Sequence, residues 1–156
     1  LLSIREPSEA QIDHHPDVET LVRELRLGTE LEYKVQRRET AAIAKRTEAK
    51  LVIAYQKWLE SQSRVLNLAR CGRLSCDAYE ESRNNLIEAK RGANREFIRM
   101  AAGQLLDYSY AGREEFGKPN MAILLPKRPD ERSLGWLKEI GVHLVWKEGN
   151  CNGQFT

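Results

Sequence analysis

No run of about 18 apolar residues occurs in the chain, so nothing in it reads as a membrane span. No signal peptide is visible. The chain begins with Leu1 rather than Met, which suggests a domain cut from something longer and leaves its start silent about targeting. Cysteine is scarce. Cys71, Cys76 and Cys151 are odd in number and form no C-x-x-C pair. That argues against a disulfide framework and a structural zinc site, and a reducing, cytoplasmic setting is the simplest reading. There is no Gly-rich phosphate loop, and no Ser-His-Asp or Cys-His arrangement with supporting context. Asp13-His14-His15-Pro16-Asp17 reads as a polar tail running into a helix with Pro16 in its first turn, and His143 as a structural residue at the start of a strand. No internal repeat or low-complexity linker appears.

What is present describes an ordinary folded domain. A chain of 156 residues, 41% hydrophobic and 31% charged, is long enough for one real core and a loosely attached arm. The net charge of +2 is too small to establish a nucleic-acid partner, but its distribution says more. Lys34, Arg37, Arg38, Lys45, Arg46 and Lys50 outnumber Glu39 and Glu48, and Lys90, Arg91, Arg95 and Arg99 outnumber Glu96. Between these stretches Asp77, Glu80, Glu81 and Glu88 face a single Arg83. An acidic knot between basic stretches suits a divalent cation surrounded by phosphate-binding groups; a solvated mixture of charges is the plainer alternative.

Periodicity divides the chain at about residue 40. Residues 1–39 read as a tail, a short helix from Pro16 to Leu27 stopped by Gly28, and an extended arm in which Leu31, Tyr33 and Val35 alternate. Residues 40–156 read as the main domain. Helices are expected over Thr40–Glu60, Asn94–Tyr110 and Asp130–Ile140. Strands are expected over Ser63–Arg70, Leu74–Tyr79, Leu86–Lys90, Met121–Pro126 and His143–Trp146, with a polar turn over Glu80–Asn85. The order α-β-β-β-α-β-α-β predicts an α/β fold, a mixed central sheet flanked by helices.

The chemistry concentrates on NNLIEAK. Glu88 and Lys90 fall on one face of that strand, alternating with Ile87 and Ala89. A strand beside the core does not give two charged positions to one face without a reason. If the preceding turn centres between Ser82 and Arg83, Asp77 lies opposite Glu88, with Cβ atoms about 5 Å apart. Carboxylates so placed repel unless a cation lies between them. Magnesium prefers a few carboxylates with water and substrate phosphate, and Lys90 stands one pleat further along. The alternative is a surface hairpin with a salt bridge.

Two helical features bear on the choice. Glu48 sits within the stripe Ala44, Leu51, Val52, Tyr55 and Leu59. There it is paired, protonated or metal-bound, unless the stripe is narrow and Glu48 reaches water. Gln104 and Tyr108 are four apart and face the same way, as a pocket wall or as polar caps on a buried face. Arg95 and Arg99, also four apart, are a phosphate clamp or a solvated edge.

Asp77 followed by Glu88-Ala89-Lys90 and a helix with Gln104-x-x-x-Tyr108 resembles the PD-(D/E)XK, or restriction-endonuclease-like, nuclease superfamily. The Gln-x-x-x-Tyr element is similar to the branch that includes recombination helicase-nucleases. LIEAK, REFIRMAAGQLLDY and AILLPKRPDERSLGWLKEIGVHLVW look like small nuclease domains of bacterial restriction and defence proteins. The resemblance covers residues 40–150. Cys76 stands where the superfamily's name expects Pro.

The resemblance implies a restriction-endonuclease-like core and hydrolysis of DNA phosphodiesters with Mg²⁺, for which Mn²⁺ would substitute. Asp77 and Glu88 would hold the metal with the Ala89 carbonyl, and Glu48 would help hold the metal or its water. Lys90 would orient or activate the water, and Gln104 and Tyr108 would shape the site. Arg46, Arg91, Arg95 and Arg99 are the candidate DNA phosphate contacts. A double-strand break would need a homodimer or two binding events, with residues 1–39 as a candidate contact. No base-reading element is visible, so a separate DNA-reading domain is expected. The alternatives are an inactive domain of the same fold that binds DNA or a partner protein, and an unrelated α/β interaction domain.

Overall fold

The computed structural model describes residues 30–71, 73–149 and 153–156. The chain divides into two units, Leu1–Thr40 and Ala41–Thr156. The expected helix over Pro16–Leu27 lies outside the described residues. The described part of the first unit, from residue 30 to 40, is helical throughout.

The long helix α1 spans Glu30–Glu60. The alternation of Leu31, Tyr33 and Val35 therefore does not make an extended arm. Ala, Glu, Lys, Arg and Gln dominate from residue 36 to 50, and a helix once nucleated propagates cheaply through such a run. After α1, Ser63 takes a left-handed conformation (φ 58°) that turns the chain.

The expected strand over Ser63–Arg70 is the largest correction. Asn67 alone bridges Tyr79, through N–H···O bonds of 2.6 and 2.8 Å in both directions. Val65 and Leu68 are exposed, Leu68 to 84%, so their apolar side chains find no second layer. A two-residue strand β1 (Arg70–Cys71) pairs with β2 (Leu74–Ser75) as a separate ribbon. The expected strand Leu74–Tyr79 breaks at Cys76 and Asp77, and β3 covers only Ala78–Glu80.

A 3₁₀ turn, Glu81–Arg83, leads to β4 (Asn85–Ala89). Then follow α2 (Arg95–Ala111), a short α3 (Arg113–Phe116), β5 (Asn120–Leu125), α4 (Glu131–Glu139) and β6 (Val142–Trp146). Asn94 caps α2 by accepting the Phe97 N–H at 3.1 Å, and Asp130 caps α4 by accepting the Ser133 N–H at 2.7 Å. Each supplies an acceptor to an N–H that the helix itself cannot satisfy.

The main sheet has the order β3-β4-β5-β6. β3 and β4 are antiparallel; β4, β5 and β6 run parallel. Parallel neighbours need crossovers, which α2 and α4 provide. The fold is thus α/β with a mixed four-stranded sheet flanked by helices. The pleat divides the core in two. Leu86, Ile123 and Leu125 join Ile98, Leu105 and Leu137 of α2 and α4 on one face. Ile87, Ala89 and Leu124 join Leu51, Tyr55 and Leu59 of α1 on the other. Among the described residues, no helix is long and apolar enough to cross a membrane.

Candidate active site at the end of β4

The β4 pleat sends Leu86, Glu88 and Lys90 toward α2. Leu86 enters the core there, but the two charged residues are equally withdrawn from water: Glu88 is 4% exposed and Lys90 5%. The Lys90 ammonium donates to Glu88 Oε1 at 2.8 Å and to Gln104 Oε1 at 2.7 Å. Gln104 Nε2 in turn donates to the Tyr108 hydroxyl at 3.2 Å. The four-residue spacing on α2 stacks these two side chains above the strand end. Gln104 therefore holds Lys90 from the side opposite Glu88, and Tyr108 holds Gln104.

Asp77 stands where the hairpin register puts it. Ala78 pairs with Ile87 and Tyr79 with Leu86. One step further, Asp77 falls opposite Glu88. The backbone ladder has already ended there. Instead, Asp77 Oδ2 accepts the Ala89 N–H at 2.8 Å. A carboxylate has replaced a backbone carbonyl, which is why the strand breaks at this residue. The same bond brings negative charge to the flank of Glu88.

Glu88 thus shares one ammonium while lying beside a second carboxylate. Burial raises its pKa to about 7, helped by the nearby Asp77 carboxylate and by Glu48, and opposed by the Lys90 ammonium. Its Oε2 is buried with no hydrogen-bond partner. An acceptor left so inside a fold is costly. Burial also raises the Tyr108 phenol, again with a contribution from Glu88.

Glu48 reaches the same place from α1, half-buried, its Oε1 accepting the Arg91 N–H at 3.3 Å. Glu48 lies between the half-buried Ala44 and the buried Leu51, partly withdrawn from water. A cavity of about 630 Å³ is lined by Lys45, Glu48, Asp77, Glu88, Lys90, Gln104 and Tyr108. All six residues expected to act in catalysis meet there. Ala89 is fully buried in the strand between Glu88 and Lys90.

The candidate phosphate contacts fare differently. Arg46, Arg95 and Arg99 are exposed and do not line this cavity. Arg91 is half-buried, with its guanidinium 5.0 Å from the centre of the Phe97 ring. Lys45 and Ser75 also line the cavity, and neither was among the expected site residues. Spacing held the signal for Lys45, which lies one turn before Glu48 on α1.

Among the described residues, no three Asp, Glu, His or Cys side chains come together as a metal cage. The available donors are Asp77, Glu88 and backbone oxygen. That set is poor for zinc and adequate for a cation that keeps most of its water, as Mg²⁺ does. The unpartnered Glu88 Oε2 beside a second carboxylate is where such a cation fits. A second cavity, of about 380 Å³, is lined by Tyr55, Trp58, Arg64 and Asn85 among others and by no carboxylate side chain. Comparison with protein-family models, with curated proteins and with solved structures finds no match.

Proposed function

We propose that the protein is a metal-dependent DNA endonuclease with a PD-(D/E)XK, restriction-endonuclease-like core, the nuclease domain of a bacterial restriction or defence protein. One observation carries the reading: a buried glutamate that lines a cavity beside an aspartate has an oxygen with no hydrogen-bond partner. Such a carboxyl needs a proton or a cation. Asp77 and Glu88, with the Ala89 carbonyl, would hold Mg²⁺ or Mn²⁺. Glu48, already bonded to the Arg91 N–H, would act on the metal's water rather than on the metal. When bound, the cation supplies charge neutralisation and a more acidic water.

The chain's own groups do the rest. Gln104 fixes the Lys90 ammonium at the cavity, where it offers positive charge as the phosphate gains negative charge. Tyr108 keeps the Gln104 amide in the orientation that accepts from Lys90. Water attacks phosphorus, the bond to the 3′ oxygen breaks, that oxygen takes a proton, and a 5′ phosphate remains. The protein contributes position and charge.

A second reading has its own support. Lys90 already answers Glu88 Oε1, so the network is closed on one side without a metal. That favours an inactive domain of the same fold that binds DNA or a partner protein. Supercoiled plasmid incubated with Mg²⁺ or Mn²⁺ separates the two. Nicking by the wild type that Lys90→Ala and Asp77→Ala both abolish supports the nuclease. DNA binding without cleavage supports the inactive domain. Cleavage that survives both substitutions removes the site assigned here.

A further inference from the structure

Two cations line the 630 Å³ cavity, Lys45 and Lys90, and they are not equivalent. Lys90 is committed, its ammonium shared between Glu88 and Gln104. Lys45 is exposed and, among the described residues, has no ion pair. It lies three residues before Glu48, about 4.5 Å along the helix axis at 1.5 Å per residue. It therefore stands beside the carboxylates rather than among them.

The charge of the cavity gives this position a purpose. With Glu88 ionised, Glu48, Asp77 and Glu88 against the two lysines leave one negative charge in excess, which repels a phosphate. A bound divalent cation reverses that excess, and Lys45 is then the one lining cation not already engaged. Beyond Lys45 and Glu48 the same helix wall becomes apolar, with Ala49, Val52 and Ile53 lining the cavity and Ile53 53% exposed. A wall with an ammonium at one end and an aliphatic ledge at the other matches one nucleotide, phosphate to ammonium and sugar or base to ledge. Neighbouring phosphates of a strand are joined through a single sugar, so a wall that extends past the reacting phosphate meets its neighbour next.

We propose that Lys45 binds the phosphate adjacent to the reacting one, making the substrate class of this site a polynucleotide rather than an isolated phosphodiester. The proposal rests on the nuclease reading above. It concerns affinity and leaves the chemical step to the groups already described.

The test compares wild type, Lys45→Ala and Lys45→Arg on two substrates with Mn²⁺: a single-stranded oligonucleotide and bis(4-nitrophenyl) phosphate, which has no neighbouring phosphate. Lys45→Ala should raise KM for the oligonucleotide about tenfold at low salt with kcat unchanged, as loss of one phosphate contact does. Hydrolysis of the small diester should not change, and Lys45→Arg should restore oligonucleotide KM. Binding of a fluorescent oligonucleotide in Ca²⁺ gives a readout without turnover, and the slope of log affinity against log salt should shrink by about 0.7 in Lys45→Ala. Equal effects on both substrates, or an unchanged salt slope, would overturn the role of Lys45. An inert protein whose oligonucleotide affinity still falls with Lys45→Ala keeps the contact and loses the nuclease. No oligonucleotide binding at all overturns both.

Discussion

At the scale of single residues, burial beside a second carboxylate pushes the Glu88 carboxyl up. Its folded pKa of about 7 stands above the ordinary 4.5. The sign follows directly. Below 4.5 folded and unfolded states are both protonated at this position. Between the two values the unfolded chain has lost the proton while the folded one keeps it, so stability falls as pH rises and levels off above about 7. The full effect is roughly 3 kcal/mol at 1.36 kcal/mol per pKa unit, taken as an order of magnitude. Urea unfolding of wild type and Glu88→Gln from pH 4.5 to 8 should show the wild type losing ground to the variant over this window; parallel curves would mean that Glu88 is not strained. A cation at the site must also displace this proton. Calorimetric titration with Mn²⁺ in buffers of different ionisation enthalpy should therefore show nearly one proton released at pH 6 and almost none at pH 8.5. Proton release that stays at zero throughout would move the metal away from Glu88. The pairing behind this was legible in the sequence, because a two-residue period assigns faces without tertiary information and a turn centre fixes a register. The choice of Lys45 over Arg46 was not: neighbouring helical residues differ by 100° of rotation, and only the packing of α1 against β4 says which one faces the cavity.

At the scale of elements, the site depends on a hairpin that its own ladder barely holds. β3 has three residues, yet it must present Asp77 to Glu88. The reinforcement comes from Glu80, whose side chain is fully buried and takes a two-pronged grip from Arg64, Nε to Oε1 at 2.6 Å and Nη2 to Oε2 at 2.8 Å. Arg64 holds the Glu80 carboxyl below the usual carboxylate range, with Arg83 and Ser82 adding to it. The stability from this pair is present above the ordinary carboxylate pKa and is lost as pH falls through the lowered one, the reverse of Glu88. Glu80→Gln should cost roughly 3 kcal/mol, since it leaves a largely buried guanidinium without its counter-charge. The cost should appear in urea unfolding at pH 7 and shrink toward pH 3; a loss that is the same at both would mean packing rather than charge. On the other side of the site, α2 delivers Gln104 and Tyr108, and its start is fixed by Asn94. Asn94→Ala should cost about 1 kcal/mol in the same measurement, as removing such a cap does. Elements with strong periodicity and caps, such as α2, β5, α4 and β6, were readable to within one or two residues. Ser63–Arg70 was not. Its composition suits a strand, but a strand exists only where a neighbour accepts its hydrogen bonds, and one residue of β3 does so.

At the scale of the whole molecule, the described residues of the second unit place a carboxylate-lined cavity at the end of one strand of a mixed four-stranded sheet. The central strands β4 and β5 are buried on both faces over most of their length, and the β5 side chains Ile123, Leu124 and Leu125 are fully enclosed, while β6 at the sheet edge stays partly open to water. The end of β4 is thereby a rigid place to hold charged groups, as a catalytic site requires. Leu124→Ala, on the face shared with α1, should cost about 2–5 kcal/mol as a core truncation while touching none of the charged groups. A protein that still folds should then keep its metal-linked proton release, which separates loss of stability from loss of the site. In the proposed reading, one cavity of this kind would hydrolyse one phosphodiester at a time. If the nuclease reading is right, supercoiled plasmid should convert first to nicked circles, with linear molecules appearing only after nicks accumulate. The ratio of linear to nicked product should rise with protein concentration, because the second strand needs a second binding event. Linear product formed from the start, at a ratio independent of concentration, would instead mean that two chains act together in one complex. Two copies of the Asp77–Glu88 pair would then face opposite strands, and titrating wild type with Lys90→Ala protein would convert double-strand cuts into nicks as mixed dimers form.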